Sequence, residues 1–259
     1  MFCIMVDMGL QERNLGILAK NKGFQFTSTF FPYASGQIGP YYVQSGVVQA
    51  NGQDYSDAVN AMRLLVENVE RFSGDEFDVI SGGESRDWMF SMPVAVDMER
   101  PQAMIYKDGR VVGVPVLVGN IAHISDLNNE GSSPRDLWVP AIRGSEGRIG
   151  HIFFYVDRME DGTRVMRDLG LKSHAVVPLD EHAWDYLVEQ QVIGQDVYRS
   201  LRARMEDKDA WARAMLRSDA GFQTFAALYR DPKTYEKAEK IITAGYPDMA
   251  KELRERLAA

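Results

Sequence analysis

The stretch Val111 to Ser133, VVGVPVLVGNIAHISDLNNEGSS, decides how the rest of the chain is read. An apolar run long enough for a buried strand leads into an acidic residue, Asp126, and then into a polar loop ending in Gly131-Ser132-Ser133. This is the order of parts with which an α/β protein holds a phosphorylated ligand just beyond the carboxyl end of a strand. Backbone N–H groups in a Gly-Ser-Ser turn that opens a helix favour a phosphate, and Asp126 suits sugar hydroxyls or Mg²⁺ held through water. The plainer reading is that the glycine only makes a tight turn, since nothing here matches a Walker or dinucleotide fingerprint.

Working outward, the flanking segments alternate between strand and helix periods. Upstream, MGLQERNLGILAK (8–20) has helical spacing, with Gly23 expected to end it, and residues 24–48 read as two short strands around Ser35-Gly36 and Gly39-Pro40. Ala58, Met62, Leu65, Val66 and Val69 repeat at the helical period within 54–72. FDVISGG then gives a short buried strand breaking at Gly82-Gly83, and the helix after it leaves Ser81 to Asp87 in a loop at the sheet's carboxyl edge. QAMIYK is a further strand, and the 111–124 run contains the next. Downstream, WVPAI begins a helical segment that Pro140 restricts to a late start or a kink. HIFFYVD (151–157) and SHAVVPL (173–179) are strands around a helix at 163–169. From Glu181 onward only helical patterns follow. The expected organisation is an α/β domain over 1–190 with a mainly parallel sheet flanked by helices, and a helical carboxyl-terminal extension over 191–259.

Composition bounds the function. A chain of 259 residues can bury a full core, and its net charge of −8 argues against nucleic acid as the main partner, because phosphate-backbone binding needs a basic face. A small anion can still be held locally by backbone N–H groups and Mg²⁺. The single cysteine, Cys3, excludes an internal disulfide and suits a reducing cytosol. The opening MFCIMVDMGL lacks the basic segment of a secretory signal, and the longest apolar run is too short for a bilayer. No membrane association and a cytoplasmic location are therefore expected. His123, His151, His174 and His182 show no metal-ligand spacing.

Four segments in this order resemble the type I phosphoribosyltransferases, and among them the orotate phosphoribosyltransferases, over about residues 8 to 190. FPYASGQIGPYYVQS resembles the segment that lies over the base. DVISGGESRDWMFSMPVAV resembles the pyrophosphate-loop strand and helix. VPVLVGNIAHISDLNNEGSS falls where the family has its phosphoribosyl pyrophosphate (PRPP) loop, and HIFFYVDRMEDG resembles a later strand ending in Asp-Arg. The resemblance implies transfer of ribose 5-phosphate from PRPP to a ring nitrogen of a nucleobase, orotate first, with Mg²⁺ as cofactor and a homodimer as the assembly. It implies that Asp126 binds the ribose diol and the metal, and that Asn129, Glu130, Gly131, Ser132 and Ser133 wrap the 5′-phosphate. Gly82, Gly83, Ser85 and Arg86 would face the pyrophosphate, Lys107 would be the catalytic cation beside Asp126, and Tyr41 and Tyr42 would lie near the base.

The chain departs from that pattern at three places. The family's two adjacent acids are here Ser125 and Asp126, its loop threonines are Asn129 and Glu130, and only DGRVVG separates Lys107 from the next strand, leaving no room for a long basic loop. A second reading accordingly stands beside the enzyme: a protein that keeps the fold and binds a nucleotide or sugar phosphate for regulation.

Overall fold

The structure is a computed structural model that describes residues 8–114 and 117–258. Cys3 lies outside the described residues. Contacts divide the chain into two compact units. One holds the described residues up to Gly23 together with Gln44–Ala183, and the other holds Phe24–Val43 with Trp184 and the described residues after it. The hairpin that the sequence assigns to the α/β domain therefore clusters with the carboxyl-terminal helices. Local pattern gives two strands, although Gly39-Pro40, read as an interruption, lies inside the second of them, and it carries no information on which core they close.

In the first unit, helix α1 (Met8–Lys20) buries Leu15, Ile17 and Leu18. Its end differs slightly from expectation: Lys22, not Gly23, takes the left-handed backbone at φ 58°. Gly23 is needed for another reason, since its N–H donates to the Leu18 carbonyl at 2.7 Å and a Cβ there would stand 3.0 Å from that oxygen. Helix α2 (Gly52–Ser73) starts where the Asn51 side chain accepts from the Gln53 and Asp54 N–H groups, and it stops at Gly74 with φ 75°. The face it buries contains the five residues whose spacing predicts it, Ala58, Met62, Leu65, Val66 and Val69.

The second unit begins with an antiparallel hairpin of β1 (Phe24–Pro32) and β2 (Ile38–Val43). Further along the chain, the first unit contains β3 (Val79–Gly83), helix α3 (Trp88–Asp97), β4 (Gln102–Ile105), β5 (Val111–Gly113) and β6 (Val118–Asn128). It continues with a short π-helical turn over Pro134–Trp138 and α4 (Val139–Arg143), then β7 (Glu146–Asp157), α5 (Asp161–Asp168) and β8 (Lys172–Pro178). The six strands lie in the order β5-β4-β3-β6-β7-β8, parallel except for the edge pair β4–β5. The apolar run that opens the reading thus supplies two strands, a short antiparallel edge and the central β6. β6 continues through Asp126 to Asn128, so the acid belongs to the strand end and not to the loop beyond it.

Side chains from both faces fill the core. Ile121, Ile142, Ile152, Phe154 and Met166 are fully buried in one cluster, and Phe90 of α3 stacks on Tyr155 of β7 at 4.5 Å. Pro93 lies inside α3 and has no N–H for the Met89 carbonyl; the Tyr55 hydroxyl of α2 donates to that oxygen instead.

After β8, α6 (Glu181–Glu189) carries the chain from the first unit into the second. Helices α7 (Gln195–Glu206), α8 (Lys208–Arg217), α9 (Asp219–Arg230), α10 (Tyr235–Lys240) and α11 (Ala250–Ala258) follow. With the hairpin they enclose a core of Phe30, Ile38, Leu216, Phe225 and Tyr246. The buried Arg204 donates to the Ile38 carbonyl at 2.7 Å and lies over the Tyr33 and Trp211 rings. No helix among the described residues is long and apolar enough to cross a membrane.

Candidate active site at the switch point of the sheet

From β3 the chain crosses to β4 on one side, and from β6 it crosses to β7 on the other. The loops after β3 and β6 therefore diverge, which makes the carboxyl end of this strand pair the topological switch point where α/β sheets bind ligands. A cavity of about 270 Å³ opens there. Glu84, Ser85, Arg86 and Asp87 line it from the β3 side, Lys107 from the β4–β5 turn, and residues from Ser125 to Pro134, with Trp138, from the β6 side.

Of the residues singled out in the sequence, Asp126, Lys107, Ser85, Arg86, Asn129, Glu130, Gly131, Ser132 and Ser133 all line this one cavity. Gly82 and Gly83 do not; they finish β3 behind it. Gly82 accepts the Trp88 indole N–H at 3.1 Å, and a Cβ on Gly83 would meet the Trp138 ring at 2.2 Å. Tyr41 and Tyr42 belong to the second unit and are not among the lining residues. Tyr41 is buried edge-on against Trp184 at 5.2 Å, and Tyr42 is exposed.

Asp126 is almost fully buried. Its carboxylate accepts the Ser45 hydroxyl at 2.5 Å and faces the Arg86 guanidinium at 3.7 Å. Asp87 lies beside it: burial first, then the charge of Asp126, pushes the Asp87 carboxyl well above the usual carboxylate range. The loop after β6 turns at Gly131, where φ is 70° and a Cβ would stand 2.8 Å from the Val165 side chain. Glycine meets both requirements at once. The same loop is tied to β7 by Arg158, whose N–H donates to the Asn128 carbonyl and whose guanidinium donates to the Asn129 side chain at 3.3 Å. The Asp157-Arg158 strand end thus acts as an anchor for the loop.

The β4–β5 turn is short and closed. The Tyr106 N–H donates to the Arg110 carbonyl at 2.8 Å, and Arg110 is paired with Asp108 and laid over the Tyr106 ring. Lys107 is exposed at its tip, with its backbone N–H on the Glu84 carboxylate at 2.9 Å. The cavity's charged lining is four carboxyl groups, Glu84, Asp87, Asp126 and Glu130, against two cations, Arg86 and Lys107. A polyanion entering it gains little from the side chains alone and needs either backbone N–H groups or an accompanying cation.

Sequence reading places Asp87 in a loop bordering this site without giving it a role, and it misses Ser45 and Trp138 as parts of the site. Asp87 directly precedes a helix and looks like an N-cap, yet its side chain makes no capping bond. Ser45 reaches Asp126 across 81 positions, which no local pattern encodes.

UMP synthase from Leishmania donovani matches with a TM-score of 0.64 over 77% of this chain and 43% of that one, at 18% identity. Orotate phosphoribosyltransferase from Francisella tularensis matches at 0.60, over 74% of this chain and 96% of that one, at 16% identity. The orotate enzyme of Aeropyrum pernix matches at 0.58, over 69% and 99%, at 17% identity. The chain has the type I phosphoribosyltransferase fold. In sequence, adenine phosphoribosyltransferase from Agathobacter rectalis is 30% identical over 73 residues, 28% of this chain. The chain spans 42% of that relative's length. No family model matches.

Proposed function

We propose that this phosphoribosyltransferase-fold protein transfers ribose 5-phosphate from PRPP to a nucleobase. The observation that carries the reading is the gathering of Asp126, Arg86, Lys107 and the Asn129–Ser133 loop into one cavity at the switch point of the sheet. The reaction breaks the bond between C1 and the pyrophosphate oxygen and forms one from C1 to a ring nitrogen through an oxocarbenium-like state. The protein's part is to hold the donor and stabilise the departing charge. In this reading the Asp126 carboxylate accepts from the ribose hydroxyls and the Asn129–Ser133 loop receives the 5′-phosphate. Ser85 and Arg86 face the pyrophosphate, and Lys107 meets the leaving charge from the neighbouring turn.

Mg²⁺ would suit this lining as an ion brought by the substrate, and Asp126 is the residue that would hold it. When bound, it supplies positive charge to the pyrophosphate in a lining that has more carboxyl groups than cations. Orotate is the base we propose first, on the likeness to the orotate enzymes; the local match to an adenine enzyme makes adenine the second. Incubation with PRPP, Mg²⁺ and each base in turn, followed by absorbance and by chromatography of the nucleotide product, tests the assignment. Orotidine monophosphate is expected. Adenosine monophosphate in its place would shift the base. No nucleotide from any base would overturn the transferase reading.

A further inference from the structure

Asp87 is buried to 3% exposure, directly before α3, where an aspartate ordinarily caps the helix. It caps nothing. Its Oδ2 accepts the Gly83 N–H at 3.0 Å, and its Oδ1 accepts both the Ser125 hydroxyl and the Asp126 N–H at 2.9 Å. These donors stand on the two strands that border the cavity. The parallel ladder between β3 and β6 runs from Val79–Ile121 to Ser81–His123. Past that point the carboxyl group of Asp87 takes up backbone N–H groups from both strand ends. A buried carboxyl is costly unless donors converge on it, and here three do. Gly83 is part of the device: a Cβ there would stand 2.7 Å from Asp87 Oδ2.

We propose that Asp87 is a positioning residue, a clamp that sets the spacing of the two ligand loops and orients Asp126 through its backbone. Its two carboxyl oxygens are engaged by those three donors. The consequence for function rests on the phosphoribosyl transfer reading, but the clamp itself does not. Ser125, which stands where the resemblance expects the first of two acids, is on this view the donor that receives an acid arriving from the other loop.

The test uses the full chain in two measurements. Amide hydrogen exchange on the unliganded protein should find Gly83 and Asp126 strongly protected in the wild type, and fast exchange at both would overturn the clamp outright. Asp87→Asn keeps the shape but places an NH₂ group against at least one donor, and Asp87→Ala removes all three acceptor contacts. Exchange at Gly83 or Asp126 should rise at least about tenfold in Asp87→Asn. Unchanged exchange in a folded variant would overturn the proposal. Calorimetric affinity for PRPP with Mg²⁺ should fall about tenfold or more in Asp87→Asn, with Asp126 and every cavity cation still present. Faster exchange with unaltered affinity would reduce Asp87 to a packing residue and overturn the positioning role. Should the wild type bind no PRPP, the transfer reading fails while the exchange result still decides the clamp.

Discussion

His123 is fully buried under Trp138, with ring centroids 4.4 Å apart and Nδ1 2.9 Å from the Ser81 hydroxyl, and burial lowers its pKa to about 3. His174, paired with His151 at 3.0 Å, is lowered by burial to about 4. Both are neutral in the folded chain and take up protons in the unfolded chain below the ordinary value near 6.5. Their contribution to stability is therefore whole above pH 6.5. It is lost as pH falls toward 4, at about 1.4 kcal/mol per pH unit for each ring. Urea unfolding at pH 7 and pH 5 should show a smaller drop for His123→Asn than for the wild type, and parallel drops would contradict the assignment. At the cavity, Glu130 places a carboxylate where a phosphate is expected; at an effective dielectric near 20, like charges 4 Å apart cost about 4 kcal/mol. Glu130→Thr should tighten ribose 5-phosphate binding, as titration would show, and unchanged affinity would mean that Glu130 points away from the ligand. Gly131→Ala meets both a positive φ and the Val165 side chain, so a loss of about 1–3 kcal/mol in thermal unfolding is expected, partly restored by Val165→Ala.

Among the elements, the proposed transfer gives the β4–β5 turn and the loop after β6 separable jobs. Lys107 stands on the turn and the proposed 5′-phosphate loop follows β6, so Lys107→Ala should weaken PRPP binding about tenfold while leaving ribose 5-phosphate, which lacks the pyrophosphate, nearly unaffected. Equal losses for both ligands would place Lys107 elsewhere. The elements themselves were legible where periodicity is strong: α1, α2, β7 and β8 form where the pattern predicts them. The 111–124 run was less so, because one apolar stretch cannot reveal that it divides into an antiparallel edge and a parallel centre. That division depends on neighbours in the sheet and not on the run's own residues. The same holds for Asp87, whose local setting spells a helix cap while its three partners lie on strands before and after the helix.

For the molecule as a whole, the order of segments carried the fold, because loops of the right kind follow strands of the right kind around one switch point. It did not carry the division into units, in which β1 and β2 share a core with helices far along the chain. Nor did it fix the chemistry, since the cavity combines Asp126 with a surplus of carboxyl groups and a short turn at Lys107. The most direct measurement is calorimetric titration of PRPP, with and without Mg²⁺, into the wild type and Asp126→Asn. We expect single-site binding to the wild type that requires Mg²⁺ and weakens at least about tenfold in the variant. Absence of binding to the wild type, or equal binding by both proteins, would contradict the account.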